Sequence, residues 1–237
     1  MKRGTKSITL NTHELDVHSA EVSVEAGKTA ESIKASNISY DAKNQRCTLS
    51  FDKEIPETQK AQLLVGFVGT MNNTMAGFYR SKYTPTVPAS KGVAKDDEHH
   101  YMFSTQFESS DARRAFPCFD EPNLKATFDF EMEIPEDLTA LSNMPEKETK
   151  KSKDGHKIVS FEKTPVMSTY LLAWAFGDFE YIEDFTKRKY NGNNLPVRVY
   201  TTRGLKEQGK LALESAHQIV DYYSEVMLFG KIVILRY

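Results

Sequence analysis

Thr105-Gln106-Phe107-Glu108-Ser109-Ser110-Asp111-Ala112-Arg113-Arg114-Ala115-Phe116-Pro117-Cys118-Phe119-Asp120-Glu121-Pro122-Asn123-Leu124-Lys125-Ala126-Thr127-Phe128 lies near the middle of a chain of 237 residues. Its interior mixes both signs of charge, and Asp111, Arg113, Arg114, Asp120 and Glu121 read as groups that hold a loop by hydrogen bonds. Cys118 stands between aromatics in Phe116-Pro117-Cys118-Phe119, the setting of a buried packing thiol. The end of the stretch runs into Lys125 to Ile134, where Phe128, Phe130, Met132 and Ile134 alternate with polar residues. A period of two predicts a half-buried strand.

Working outward, short alternating or β-branched segments recur at Ser7 to Leu10, Leu15 to Val24, Ile33 to Tyr40, Arg46 to Phe51, Leu63 to Val68, Tyr101 to Ser104, Ile158 to Phe161, Thr169 to Phe176 and Val197 to Thr201. Turn-rich sequence separates them, so a mainly β, antiparallel sandwich is expected. The charged run Glu146 to Gly155 ends in Asp154-Gly155, a favoured turn pair, and reads as a solvated hairpin tip. From Leu205 the period changes. Leu205, Ala212, Leu213, Ala216, Ile219, Val220, Tyr223, Val226 and Met227 share one helical face. A β domain over 1–202 followed by one long amphipathic helix within 203–237 is the expected organisation, with an apolar stripe that needs a covering surface.

Composition excludes several classes of function. The 31 Lys plus Arg nearly balance the 33 Asp plus Glu, so no net field draws this surface to nucleic acid or anionic lipid. No apolar run reaches the roughly 20 residues of a membrane helix, and the basic start lacks an apolar signal core. With only two cysteines there is no disulfide framework. A soluble cytoplasmic chain is expected. His13 and His18 flank Glu14 but stand five apart, which separates the rings on a helix by roughly 140° and sends them to opposite faces of a strand. They are not read as a metal pair. His99, His100, His156 and His217 have no third ligand at a recognisable spacing, and no nucleophile elbow or phosphate loop is present.

The 105–128 stretch, together with Met75-Ala76-Gly77-Phe78-Tyr79-Arg80-Ser81, Thr164-Pro165-Val166-Met167-Ser168-Thr169-Tyr170-Leu171-Leu172-Ala173 and Gly177-Asp178-Phe179-Glu180-Tyr181, resembles the amino-terminal domain of the gluzincin-type zinc metalloaminopeptidases, the alanyl and puromycin-sensitive group. The resemblance runs from Ile8 to Val226. It implies a saddle-like β domain closing one side of a thermolysin-like active site. It also implies that Gln106 and Glu108 line the pocket for the substrate's first residue, with Glu108 anchoring the free α-amine of peptide amino termini.

Departures from the family pattern limit what this chain does alone. The Gly-x-Met-Glu-Asn loop, His-Glu-x-x-His, the later Glu and the stabilising Tyr are absent. Zinc is therefore expected in the full-length enzyme and not on this chain, which is expected to be inactive without the missing catalytic domain. Two expectations concern the ends. The family's first strands are lacking before Ser7, leaving edge groups that lower stability, and Ile232 to Tyr237 are read as a shifted frame, an unspliced intron or a mistaken gene model. A different class of reading is a non-catalytic peptide- or protein-binding regulatory module, favoured by the apolar stripe Leu213, Ala216, Val220 and Met227.

Overall fold

A computed structural model describes residues 4–26, 29–58, 60–87 and 100–226. The chain divides into two compact units, residues 1–79, 105–126 and 166–173 in the first and 80–104, 127–165 and 174–237 in the second. Among the described residues the fold is mainly β, with antiparallel sheets and one α-helix, as the sequence predicts.

The first unit contains β1 (Thr5–Asn11), β2 (Leu15–Ala26), β3 (Thr29–Lys34), β4 (Asn37–Asp41), β5 (Arg46–Ile55) and β6 (Ala61–Gly69). They form two three-stranded sheets, β1-β5-β4 and β3-β2-β6. Period-two burial on the central strands sends Val22 and Val24 of β2, and Cys47, Leu49 and Phe51 of β5, into one shared core with Leu10, Val17 and Ile33. Ile33 to Tyr40, predicted as one strand, is two. The Ala35 amide donates to Ala20 O on β2, whereas the Ser36 amide donates to Ser50 O on β5. The chain thus changes sheets between adjacent residues, which a hydrophobic pattern cannot register.

The second unit holds the greater part of β7 (Gly77–Tyr83) and β8 (His100–Gln106), with β9 (Glu131–Pro135), β10 (Thr139–Ser142), β11 (Glu146–Lys151), β12 (His156–Phe161), β13 (Trp174–Gly177), β14 (Phe179–Tyr190), β15 (Asn193–Thr202) and α1 (Lys210–Val226). Its sheets run β10-β13-β8-β7 and β11-β12-β9, beside the hairpin β14-β15. Ile134, Met144, Val159 and Phe161 are its buried centre. Phe103 stacks on Phe176 at 4.4 Å and Phe130 on Trp174 at 4.8 Å.

Several expectations change here. The strand predicted over 125–134 is regular only from Glu131, although Phe128 already exchanges hydrogen bonds with Thr164 and the alternating face is kept. Thr169 to Phe176 is a 3-10 turn at Thr169–Leu171 followed by β13. The run Glu146–Lys151, read as part of a solvated tip, is a fully exposed strand paired to β12. Its turn is as expected: Asp154 and Gly155 have φ of 54° and 74°, the left-handed pair that a two-residue hairpin requires. β14 escapes the strand pattern because Glu183, Asp184, Lys187 and Arg188 interrupt it.

Helix α1 packs on β14 and β15 through a line rotated from the predicted stripe. Leu213, His217 and Ser224 are buried, whereas Leu211, Ile219, Tyr222, Tyr223 and Val226 are exposed. The seat is polar, which explains the rotation. The Tyr190 hydroxyl lies 2.9 Å from Ser224 Oγ and 3.0 Å from Asp221 Oδ1, Asp221 Oδ2 accepts the amides of Lys187 and Arg188, and His217 Nε2 lies 3.4 Å from Asp184 Oδ2. Hydrogen bonds to Asp221 and Ser224, with buried Leu213, select the helix face, while His217 Nδ1 has no partner among the described residues. Leu213 therefore leaves the expected exposed stripe, Ala216 and Val220 are half-buried, and Met227 lies outside the described residues.

Candidate functional site

β8 ends at Gln106, and the chain then turns. Gln106 and Glu108 are exposed while Phe107 between them is 2% exposed, so the two predicted site residues lie on the solvent side of a buried anchor. Phe107 meets Phe116 edge to face at 6.1 Å. Its carbonyl accepts the Asp111 amide, opening the 3-10 turn Ala112–Arg114. The Glu108–Ser109 peptide is cis.

Both arginines of this turn are held by carboxylates. Arg113 Nε donates to Asp120 Oδ2 at 2.9 Å, and its other nitrogens reach Asp120 O and Gln45 Oε1 at 3.2 Å. Asp120 is buried. Its Oδ1 accepts Thr169 Oγ1 at 2.7 Å and its amide donates to Asn11 Oδ1. Arg114 Nε donates to Asp111 Oδ1 at 2.8 Å and its NH1 to Glu14 Oε2 at 2.6 Å. Behind Arg114 lies Gly77, with φ +70° and so little room that a Cβ there would stand 2.5 Å from Arg114 Cβ. Cys118 exchanges backbone hydrogen bonds with Asn11 of β1. Burial pushes its thiol up to about 12, with the Asp120 charge adding and Arg113 opposing. It is a packing residue, as expected, and no nucleophile.

These pairings absorb the local cations and leave Glu108 without an ion pair or side-chain hydrogen bond among the described residues. Glu121 is also exposed, but lies beyond Cys118 and outside the turn. The long-range partners Glu14, Gln45, Asn11, Gly77 and Thr169 carry no sequence signal that would have joined them to this segment.

The histidines disperse. His13 precedes β2 and its amide donates to Arg113 O, His18 lies within β2, His100 is buried edge to face with Tyr83 at 5.8 Å, and His156 contacts Asp154 O. His99 lies outside the described residues. Among those residues no three His, Cys, Asp or Glu side chains converge, so they do not offer a zinc site. Nor is any helix among them long and apolar enough to cross a membrane.

The first unit is thus mainly β and presents the exposed Glu108 carboxylate on a turn whose arginines are paired. The chain belongs to the Peptidase M1 N-terminal domain family, whose model matches residues 1–171. It is similar to Aminopeptidase M1 of Arabidopsis thaliana, at 39% identity over 221 residues, covering 93% of this chain and 23% of the relative. It is also similar to the Puromycin-sensitive aminopeptidase of Caenorhabditis elegans, at 38% over 226 residues, covering 95% and 22%. Alanine/arginine aminopeptidase of Saccharomyces cerevisiae matches at 38% over 221 residues, covering 92% and 23%. The chain thus spans less than a quarter of the length of these curated relatives.

Proposed function

We propose that residues 1–202 serve as the amino-terminal domain, and 203–237 as the start of the catalytic domain, of a cytoplasmic zinc aminopeptidase that removes residues from peptide amino termini. In this reading Glu108 accepts the substrate's α-ammonium and Gln106 lines the first-residue pocket, while the zinc ligands lie outside this stretch. The observation that carries it is the exposed carboxylate of Glu108, which has no partner among the described residues, in a segment whose two arginines are already paired to Asp111, Glu14 and Asp120. A cation left free beside Glu108 would compete with an ammonium; here both are engaged elsewhere. A carboxylate–ammonium hydrogen bond is charge-assisted, so it selects a free amino terminus over an acylated or internal nitrogen.

Titration of the chain with leucinamide and N-acetyl-leucinamide, followed by amide NMR, tests the assignment. Shifts at Gln106 to Ser110 with the free amine only, lost in Glu108→Gln, are expected; equal response to the acetylated compound overturns it. Metal analysis and aminoacyl hydrolysis address the second half. Stoichiometric metal with chelator-sensitive turnover in the purified chain would contradict the division of labour.

The exposed residues Leu211, Ile219, Tyr222, Tyr223 and Val226 of α1 favour a protein-contact role for that helix face. The remainder of the catalytic domain is its proposed partner. A separate regulatory protein would give the second reading, a non-catalytic binding module, and stoichiometric co-purification distinguishes it.

A further inference from the structure

The β14-β15 hairpin has two faces, and only one seats the helix. Ile182, Asp184 and Thr186 alternate with Tyr181, Glu183 and Phe185 along β14, and Asp184 is the residue that meets His217 of α1. On the opposite face the register pairs Tyr181 with Tyr200 and Glu183 with Arg198. Arg198 Nε donates to Glu183 Oε2 at 2.5 Å, its guanidinium lies 4.9 Å from the centre of the Tyr181 ring, and the two tyrosine rings are 5.0 Å apart. The Arg198 side chain is therefore held by an acid at one edge and an aromatic surface beneath it. Glu183 engages Nε and the Tyr200 hydroxyl accepts a further hydrogen bond, whereas a guanidinium carries five N–H donors.

Arg198 and Tyr200 line a groove of 560 Å³ within the second unit. The other wall is edge strand β10 and the chain after it, including Leu141, Met144 and Glu146, with Phe161 of β12. Small-molecule sites span roughly 300–1,000 Å³ and combine apolar lining with a few placed polar groups. This groove has that composition: apolar Leu141, Met144 and Phe161, one fixed cation from β15 and one acid, Glu146, at the start of β11. Glu146 is exposed and accepts a hydrogen bond from Thr149 Oγ1.

We propose that this groove is a second binding site, for a short zwitterionic peptide with apolar side chains. Its carboxylate meets Arg198, its ammonium meets Glu146, and its side chains pack on Leu141, Met144, Phe161 and Tyr200. Charge complementarity is the argument: the two lining charges are opposite in sign and come from separate elements, β15 and β11, as the two ends of a free peptide require. An anion alone would face Glu146, and a cation alone would face Arg198. A held guanidinium also needs little ordering on binding, and it can present parallel donors to a carboxylate. The site is distinct from Glu108 and does not depend on the role given to that residue.

The test uses leucyl-leucine as the probe, with leucyl-leucinamide and N-acetyl-leucyl-leucine as blocked forms, titrated into the chain and followed by amide NMR. Saturable shifts at Thr139 to Glu146, Phe161 and Arg198 to Tyr200 are expected. Affinity should fall at least tenfold when the carboxylate is amidated or in Arg198→Gln, and likewise when the amine is acetylated or in Glu146→Gln. Shifts at Gln106 to Ser110 report the Glu108 site and are read separately from those of the groove. Glu146 is exposed and bonded only locally, so its substitution keeps the fold and the test stands even where Arg198→Gln perturbs the hairpin. Equal groove binding of acid and amide, insensitivity of the groove shifts to acetylation, or no saturable shift in the groove would each overturn the proposal.

Discussion

The 107–120 segment and the seat of α1 handle polarity in opposite ways. In the segment, charges are turned inward upon one another, with Arg113 on buried Asp120 and Arg114 between Asp111 and Glu14, and an acid, Glu108, faces out. At the helix, Asp221, Ser224 and His217 meet Tyr190 and Asp184 of the hairpin beside buried Leu213, and Leu211, Ile219, Tyr222, Tyr223 and Val226 face out. The outward residue of each region sets the kind of partner that region suits. A lone carboxylate on a fixed turn suits a small cation, whereas a row of apolar side chains on a helix suits a protein surface.

The largest expected effect strikes the inward charges. Asp120→Ala leaves Arg113 without its carboxylate in a site where Asp120 itself is 2% exposed in its side chain. Removing one partner of a buried pair costs about 3–5 kcal/mol, to be read as the loss of unfolding free energy in urea. A loss under 1 kcal/mol would show that the segment is not held by its charges.

The helix half of the comparison rests on which apolar residue matters. Leu213→Ala should destabilise by about 2–4 kcal/mol, as for buried leucines generally, whereas Ile219→Ala, on the exposed face, should stay within about 0.5 kcal/mol. Equal effects would mean that the helix is seated on the stripe read from the sequence instead.

Alkaline titration probes the interior beside Asp120. The Cys118 thiol ionises at about 12 in the folded chain against an ordinary 9.0, because burial disfavours the thiolate. Between those values the unfolded chain releases a proton that the folded chain retains. Stability therefore falls as pH rises through this window, by at most about 1.4 kcal/mol per pH unit from this group. Burial raises Cys47 as well, adding in the same direction. Cys118→Ala should flatten the slope of stability against pH above 9; an unchanged slope would show that this thiol does not carry the dependence. The smallest expected effect belongs to Glu108→Gln. It should change stability by no more than about 0.5 kcal/mol while abolishing discrimination for a free amine. A large destabilisation would make Glu108 a structural residue.

Much of the fold was legible because burial leaves a period. Val22 and Val24, or Cys47, Leu49 and Phe51, alternate inward and so mark their strands, and Asp154-Gly155 marks its turn through the left-handed backbone it tolerates. Glu146–Lys151 and β14 were less legible, since an exposed strand, or one whose inner face is met by hydrogen bonds, has no apolar rhythm. The break at Ala35–Ser36 was invisible because residues on both sides are strand-like and only their partners differ. At the candidate site Glu108 was legible through resemblance alone. As a residue in isolation it is one acid among many.

The linear sequence by itself determined the mainly β class, the family and the helix near the end of the described chain, because local periodicity and collinear motifs are properties of neighbours. Tertiary structure alone decided which sheet Asn37 joins, which helix face α1 buries and which carboxylates Arg113 and Arg114 take. Those choices depend on groups such as Asn11, Glu14, Gln45 and Thr169, brought together only when the chain folds. The physical reason is desolvation. A buried polar group must find its partner wherever the fold supplies one, and sequence distance carries no information about where that will be.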